Sequence, residues 1–259
     1  MNESPPPSYP SRFINREEAK SYVNHEYGAS SYASAVWTAQ LPTVREFFAQ
    51  MRDLHPQGRH LDFACGTGRI TKVAEEIFPE VDALDISSSM VELARETCPR
   101  AHFFVGNVLE DSGLCPGPYT SISSFRLLLN LDAELRIPIL RQLHRRLDES
   151  GLLMVNVHGN KTSLRQPAIV WKKWRHGGHL PAGLMLNAMS VAETEDCLRQ
   201  AGFEVTSRQG MGILPPTCYR LPLRAFWLGL DRWLSGWSFL QPYAIDVIFV
   251  CKKVQIPGA

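Results

Sequence analysis

The stretch HLDFACGTGR, residues 60–69, decides how this chain folds. An apolar run there ends in a turn that contains Gly66 and Gly68, and a helix-forming segment follows it. Glycine allows positive φ values and a close backbone approach that a Cβ would block, and the amides of a helix start have no partner inside the helix. The stretch therefore predicts a strand, a turn and a helix that together hold a nucleotide-like ligand.

A second apolar run, residues 81–85, ends in Asp85, which lies nineteen residues after Gly66. An acidic residue at this place can accept hydrogen bonds from both ribose hydroxyls, and the strand–turn–helix–strand context supports a glycine fingerprint. Two residues argue against a pyrophosphate loop. Thr71 stands where a third small residue is expected, and the Asp62 carboxylate would repel a diphosphate. A ligand that carries an ammonium group suits Asp62 better.

With these residues the chain resembles the class I S-adenosylmethionine-dependent methyltransferases, in particular the small-molecule type. Residues 61–68 read like the first motif of that family, residues 85–94 like its second motif and the following helix, and residues 104–108 like its third segment. Asn107 stands in the third segment where the family usually has Asp, so altered adenine contacts are expected. The resemblance implies S-adenosyl-L-methionine as the cofactor and S-adenosyl-L-homocysteine as its product.

The resemblance also implies a cofactor-binding set spread over several strand ends. Asp85 would hold the ribose, an apolar side chain would cover the adenine, and a backbone carbonyl at Phe125 and Arg126 would face the donor's amino group. For Met90 core packing is an equal alternative, and Arg126 is either a ligand for the cofactor carboxylate or a solvated charge. The residues predicted to bind the cofactor are Asp62, Ala64, Gly66, Gly68, Asp85, Ile86, Met90, Asn107, Val108, Phe125, Arg126 and Tyr27.

Short apolar runs alternate with helix-period segments between residues 60 and 158, a pattern typical of βαβ units and a parallel sheet. The predicted strands are 60–64, 81–85, 102–105, 119–125, 152–158, 203–207 and 245–250. The predicted helices are 69–78, 88–97, 133–147 and 190–201, the last with a capping box at its start and Gly202 after its end. By resemblance, the last two strands form an antiparallel hairpin in a Rossmann-like α/β fold with a seven-stranded, mostly parallel sheet, helices on both faces and helical lid insertions.

The predicted organisation has one methyltransferase domain, residues 56–259, preceded by two other segments. Residues 1–12 are read as a disordered tail and residues 13–55 as an N-terminal helical lid. Substrate-lid insertions are predicted at residues 160–190 and 210–243, because connections of this length are usually functional. These insertions and the N-terminal lid hold all six tryptophans.

Amino-acid composition limits which binding partners and which cellular location are expected. The chain has 259 residues, 44% of them hydrophobic, and 27 basic against 26 acidic side chains give a net charge of +1. Such a balance offers no general attraction for nucleic acid, so no nucleic acid partner is expected. Six cysteines without a Cys-x-x-Cys motif predict free thiols, no metal and a cytoplasmic location. The absence of an apolar leader or spanning stretch predicts no secretory signal and no stable membrane insertion. A monomer or a homodimer is expected.

The sequence indicates the methyl acceptor less clearly than it indicates the methyl donor. His158 closes the fifth predicted strand and is a candidate base, although strand-end histidines are more often structural. The residues predicted to bind the substrate are Asn130, Asn160, Arg165, Trp171, Tyr219 and Trp227. The predicted activity is methyl transfer to an oxygen or nitrogen of a small, partly apolar metabolite, as in secondary metabolism.

Three alternatives to this activity stay open. The chain could be a noncatalytic partner subunit with the same fold, for which Asn107 is the hint, or a nicotinamide oxidoreductase, which Thr71 and Asp62 disfavour. A nucleic acid methyltransferase is the third, because residues 171–175 combine two aromatic with three basic side chains. Residues 222–234 could likewise be a membrane-surface helix rather than a pocket wall.

Overall fold

The central element of the fold is a seven-stranded β-sheet. The computed structural model describes residues 32–164, 166–175, 188–215, 218 and 222–255. The strand order is β3-β2-β1-β4-β5-β7-β6, and β7 runs antiparallel to both of its neighbours while the others pair in parallel. The strands are β1 (Arg59–Phe63), β2 (Glu80–Asp85), β3 (His102–Val105), β4 (Tyr119–Phe125), β5 (Leu147–His158), β6 (Phe203–Met211) and β7 (Asp246–Lys253). The predicted fold, including the antiparallel hairpin, is confirmed.

Helices cover both faces of the sheet. They are α1 (Tyr32–Leu54), α2 (Arg69–Glu75), α3 (Ser88–Thr97), α4 (Ala133–Arg146), α5 (Gln166–Arg175), α6 (Val191–Gln200) and α7 (Arg224–Ser235). One core packs α4 and α6 against the sheet, and a second core packs α1 and α2 against the opposite face. The carboxyl half of α1 is part of this second core, since Val44, Phe47, Phe48 and Met51 are buried. Only the residues before this half remain candidates for the predicted lid.

Local sequence sets the starts of α3 and α6. Ser87 caps α3 because its hydroxyl accepts a hydrogen bond from the Met90 amide at 3.3 Å. Ser190 and Glu193 form the predicted capping box of α6, and Gly202 follows that helix with φ 90°. The two serines therefore fix where α3 and α6 begin, and Gly202 lets the chain leave α6 and enter β6.

Several predicted boundaries are wrong, and pairing with neighbouring strands explains two of them. β5 begins at Leu147, where the prediction still had helix, because Leu147 pairs with Tyr119 of β4 across an irregular register. β6 continues to Met211 because its second half pairs with β7 as far as Asp246. Helix α2 is also shorter than predicted and ends at Glu75.

No described helix has both the length and the apolar character needed to cross a bilayer. The six cysteines are free thiols.

A buried histidine links the middle of the sheet to the helices above it. His60 of β1 is fully buried, its ring nitrogens lie 2.9 Å from the Ser121 hydroxyl and 3.0 Å from the Ser123 hydroxyl, and its ring stacks on Phe78. Burial lowers the pKa of His60 from 6.5 to about 3, because the charged imidazolium would lose its water. The folded protein therefore holds His60 neutral.

This burial predicts a pH-dependent contribution to stability. Above pH 6.5 His60 is mostly neutral in the folded and in the unfolded protein. At lower pH the unfolded chain binds a proton at His60 that the folded protein does not bind. At pH 5 this difference in proton binding lowers the free energy of unfolding by about 2 kcal/mol. Urea unfolding at pH 7.5 and pH 5 should show that His60→Gln loses less stability on acidification than the wild type does. Equal losses of stability in the two proteins would contradict the assignment of a neutral, buried His60. Burial raises the pKa values of Asp62 and Asp246 to about 6, which has the opposite effect on stability. Both proteins contain these two residues, so their contributions cancel in the comparison.

Candidate functional site

The Asp85 carboxylate ties together the ends of the first two strands. Its Oδ2 accepts a hydrogen bond from the Gly66 amide at 2.8 Å, and its Oδ1 accepts one from the Ser87 amide at 2.9 Å. Burial raises the pKa of Asp85, and the amide hydrogen bonds oppose that shift. Because an ionised carboxylate has about four acceptor positions, each oxygen can accept a further hydrogen bond from a ligand. The residue predicted to hold the ribose thus lies at the carboxyl edge of the sheet.

The two positions of the turn require glycine for different structural reasons. Gly66 has φ 55°, and a Cβ built on it would meet no atom of the described residues within 4 Å, so these residues leave open space beside the loop. Gly68 has φ 82°, and a Cβ there would lie 2.9 Å from the Cys98 sulfur and 3.0 Å from the Ala94 Cβ. Gly66 therefore leaves room for a ligand, whereas Gly68 is required because α2 and α3 pack closely. The predicted ligand contact of Gly68 gains no support from this geometry.

Asp62 is buried directly beneath the glycine turn. Its Oδ2 accepts a hydrogen bond from the Thr71 hydroxyl at 2.6 Å, and its Oδ1 accepts one from the Ser123 hydroxyl at 2.9 Å. Burial raises its pKa to about 6 against these hydrogen bonds. The two residues that separated this chain from a pyrophosphate binder are thus hydrogen-bonded to each other. Their contact fixes the first turn of α2 on β1, and a direct contact of Asp62 with an ammonium group is not part of this geometry.

The predicted adenine side combines exposed and buried residues. Ile86 is 48% exposed although it is a large apolar residue directly after Asp85, as expected of a side chain that covers a ligand. Met90 and Val108 are buried in the core. The Asn107 side chain closes a turn, since its Oδ1 accepts from the Leu109 amide at 3.0 Å and its Nδ2 donates to Glu110. Ile86 is the side chain that the structure best supports here.

Strained backbone marks the ends of β1 and β4, which are neighbours in the sheet. Ala64 and Arg126 both have φ 60°, a left-handed conformation that non-glycine residues rarely adopt and that is concentrated at functional sites. Phe125 before Arg126 is buried, and the Asn130 side-chain amide donates a hydrogen bond to the Arg126 carbonyl. Asn130 therefore holds the turn after β4 rather than projecting freely towards an acceptor.

The end of β5 brings His158 to the same edge, half-buried and paired across the strands with Asp246. Asn160 is buried, and its Nδ2 donates to the carbonyls of Pro242 and Ala244 while its Oδ1 accepts from Thr162. With both ends of its amide engaged inside the protein, Asn160 fixes the loop after β5. Its predicted contact with an acceptor has no support in this geometry.

The remaining predicted acceptor residues are only partly described. Trp171 on α5 is exposed, and Trp227 on α7 is half-buried with its Nε1 donating to the Pro222 carbonyl at 3.1 Å. Tyr27, Arg165 and Tyr219 lie outside the described residues. Within the described ranges, no group of three His, Cys, Asp or Glu side chains is placed to hold a metal ion.

Sequence reasoning missed a buried polar group formed by Gln40, Asn156 and Asp246. The Asp246 Oδ1 accepts hydrogen bonds from the Asn156 Nδ2 at 2.9 Å and from the Gln40 Nε2 at 3.2 Å. The available signal was the single acid at the start of an otherwise apolar strand. Gln40 and Asn156 gave none, because only the packing of α1 on the sheet brings them to Asp246.

Comparison with known proteins agrees with this geometry. The profile of the methyltransferase domain family matches residues 36–208, so the chain belongs to that family. The fold and the family together confirm a class I S-adenosylmethionine-dependent methyltransferase, with S-adenosylmethionine as its cofactor. The residues present fit this cofactor, because Asp85 has acceptor positions to spare beside the open space at Gly66.

Individual relatives are distant. The malonyl-[acyl-carrier protein] O-methyltransferase of Serratia marcescens is 27% identical over 95 residues, which cover 37% of this chain and 36% of that protein. A TehB-like methyltransferase from Corynebacterium glutamicum aligns with a TM-score of 0.55 and 16% identity over 92% of this chain and all of that one. Magnesium protoporphyrin IX methyltransferase from Synechocystis, with bound S-adenosylhomocysteine, aligns with a TM-score of 0.59 and 15% identity over 92% of this chain and 99% of that one. At these identities the solved structures show the fold alone.

Substitution by alanine can distinguish the ligand-facing role of Gly66 from the helix-packing role of Gly68. Gly66→Ala should cost about 1–2 kcal/mol of stability from its left-handed φ and weaken S-adenosylhomocysteine binding about tenfold or more, because the methyl group enters the open space. Gly68→Ala should cost more stability, about 2–4 kcal/mol, because its methyl group also collides with α3. Urea unfolding and calorimetric titration measure the two effects. Identical behaviour of the two variants would refute the distinction.

Proposed function

We propose that this methyltransferase transfers a methyl group from S-adenosylmethionine to an oxygen or nitrogen of a small, partly apolar metabolite. The observation that carries the proposal is the Asp85 carboxylate, fixed by Gly66 and Ser87 at the strand ends beside an exposed Ile86. This arrangement offers acceptors for ribose hydroxyls and an apolar cover for a base. The curated relative is by name an O-methyltransferase, which favours oxygen as the acceptor atom.

In this mechanism the protein aligns the reactants and manages a proton. Bound S-adenosylmethionine supplies an electrophilic methyl group on a positively charged sulfur. Asp85 binds the ribose, Ile86 covers the adenine, and the glycine turn leaves room for the rest of the donor. His158 at the end of β5 would accept the proton that the acceptor loses, because an imidazole side chain is suited to act as a general base. Alignment and exclusion of water supply the rest of the rate increase.

Aromatic side chains after β6 support an apolar acceptor. Phe226, Trp233, Trp237 and Phe239 are all exposed, and the Trp237 ring lies 5.2 Å from the Trp233 ring and 5.5 Å from the Phe239 ring. Large exposed apolar surfaces of this kind usually mark binding sites. We therefore retain residues 210–243 as a substrate lid in the proposal, together with Trp171 on α5.

Donor binding tests the first half of the proposal. Calorimetric titration should show that S-adenosylhomocysteine binds the wild type and that Asp85→Ala binds about a hundredfold more weakly, because two charge-assisted hydrogen bonds to the ribose are lost. Asp53→Ala, which removes an exposed carboxylate from α1, is the control and should bind like the wild type. The absence of binding heat with any adenosyl ligand would refute the assignment.

Acceptor class tests the second half. Incubation with a methyl-labelled donor and pooled small phenols, carboxylic acids and amines should place the label in extractable small molecules. Bulk RNA added to the same reaction should remain unlabelled. Label in RNA that persists at high salt would instead favour a nucleic acid methyltransferase. Donor binding without any transfer to these pools would favour the noncatalytic partner subunit.

A further inference from the structure

An apolar stripe on α7 faces away from the rest of the protein. Asp231 lies on the buried side of this helix, and its carboxylate oxygens accept hydrogen bonds from the Gly212 and Leu214 amides at 2.9 Å each. These bonds hold α7 against the chain that leaves β6. Phe226 and Trp233 lie on the opposite side of the helix, about two turns apart, and both are exposed. The helix therefore presents these aromatic side chains outward rather than packing them on the sheet.

The exposed apolar side chains continue beyond the end of α7. The centre of the Trp237 ring lies 5.2 Å from that of Trp233 and 5.5 Å from that of Phe239. Tyr243 is exposed as well, and its carbonyl accepts a hydrogen bond at 3.2 Å from the amide of Leu164, an exposed residue of the loop after β5. Two segments that are far apart in the chain thus meet at the carboxyl edge of the sheet. We call their exposed side chains the outer apolar surface, which consists of Leu164, Phe226, Trp233, Trp237, Phe239 and Tyr243.

The two segments that form the outer apolar surface are rich in basic residues. Residues 160–175 contain five Lys and Arg, one of which pairs with an acid outside the two segments, and they contain no acid. Residues 212–245 contain three Arg and a single acid, Asp231, which is buried. Arg175 on α5 and Arg232 on α7 are exposed. Because the whole chain has a net charge of +1, the remainder of the chain is negative, and positive charge is concentrated in these two segments.

A lipid surface fits this combination better than other partners do. Trp and Tyr rings favour the interface of a bilayer, where one end of the ring is in an apolar and the other in a polar environment, and Lys and Arg bind anionic headgroups. Leu164 and Leu223, both exposed, have no ring on which a nucleic acid base could stack. A second copy of the chain would bring like charges together at the contact. Aromatic, aliphatic and basic side chains together therefore favour an anionic membrane.

We propose that the outer apolar surface docks on an anionic lipid membrane, with its aromatic rings at the level of the headgroups and the basic side chains of the two segments against the lipid phosphates. The protein then lies on the membrane surface and does not cross it. The docking itself needs neither donor nor acceptor. Delivery of an apolar acceptor from the lipid to the nearby carboxyl edge of the sheet is a consequence that rests on the proposed function.

The test is co-sedimentation of the full chain with lipid vesicles. The wild type should bind vesicles of phosphatidylcholine mixed with phosphatidylserine, and it should bind vesicles of phosphatidylcholine alone about tenfold more weakly. The double variant Trp233→Ser with Phe239→Ser should bind the mixed vesicles about tenfold or more weakly than the wild type, because two rings that enter the interface are lost. Thermal unfolding shows that the variant is folded under the same conditions.

Two leucines provide a matched comparison. Leu164 is 55% exposed in the outer apolar surface, whereas Leu54 is 61% exposed at the end of α1, which precedes β1 at the amino edge of the sheet. Leu164→Ser should weaken binding to the mixed vesicles about threefold or more, and Leu54→Ser should leave it unchanged. Equal effects of the two substitutions overturn the inference, because binding would then not depend on this surface.

Insertion of the rings is measured by tryptophan fluorescence. Lipids with brominated acyl chains quench tryptophans that enter the bilayer, so the mixed vesicles should quench the wild type more than the double variant when both are bound. Binding without quenching overturns the inference, since charge alone would then hold the protein on the vesicle. Absence of vesicle binding by the wild type also overturns it.

Other occupants of the outer apolar surface give different results. Sedimentation without lipid that shows a dimer for the wild type and a monomer for the double variant would assign the surface to a second copy and overturn the inference. Binding of single-stranded RNA in preference to vesicles, with the same loss in the double variant, would overturn it in favour of nucleic acid. Titration with S-adenosylhomocysteine is separate and tests only the proposed function.

Discussion

The site depends on one hydrogen-bonded carboxylate at the point where β1 and β2 end. Asp85 accepts from the Gly66 amide on one side and from the Ser87 amide on the other, so a single side chain holds the glycine turn against the start of α3. Because the same oxygens retain acceptor positions, the interaction that shapes the loop also prepares it for a ribose. In the proposed function, Asp85 therefore serves both the structure of the loop and the binding of the donor.

Buried polar groups line the face of the sheet that α1 and α2 cover. His60 interacts with Ser121 and Ser123, Ser123 donates to Asp62, and Asp246 accepts from two other elements nearer the ligand edge. Polar groups cost free energy when buried without partners, and here each named interaction supplies one. The hydrogen bond from Gln40 ties α1 to this row, because a shifted α1 would leave these polar atoms unpaired.

Much of the fold and part of the site followed from local sequence. The strand cores, the capping box at Ser190 and the αL glycine at position 202 were predictable because propensity and capping act over a few residues. Asp85 was predictable because its spacing from Gly66 reflects one βαβ unit. Boundaries such as the start of β5 were not, because pairing with β4 overrides the helical preference of that segment. Asn160 was misleading, since a polar residue at a strand end looks the same whether it faces a ligand or closes a loop.

The sequence by itself determined the class of fold, the glycine turn and the acid that we propose to face the ribose, because each depends on residues close together in the chain. Only the tertiary structure decided that Gly68 serves helix packing, that Asp62 bonds to Thr71, and that Gln40, Asn156 and Asp246 meet. Gln40 and Asp246 are 206 positions apart, and no local pattern encodes such a contact. Their meeting results from the order of the strands and from the helix that packs across them.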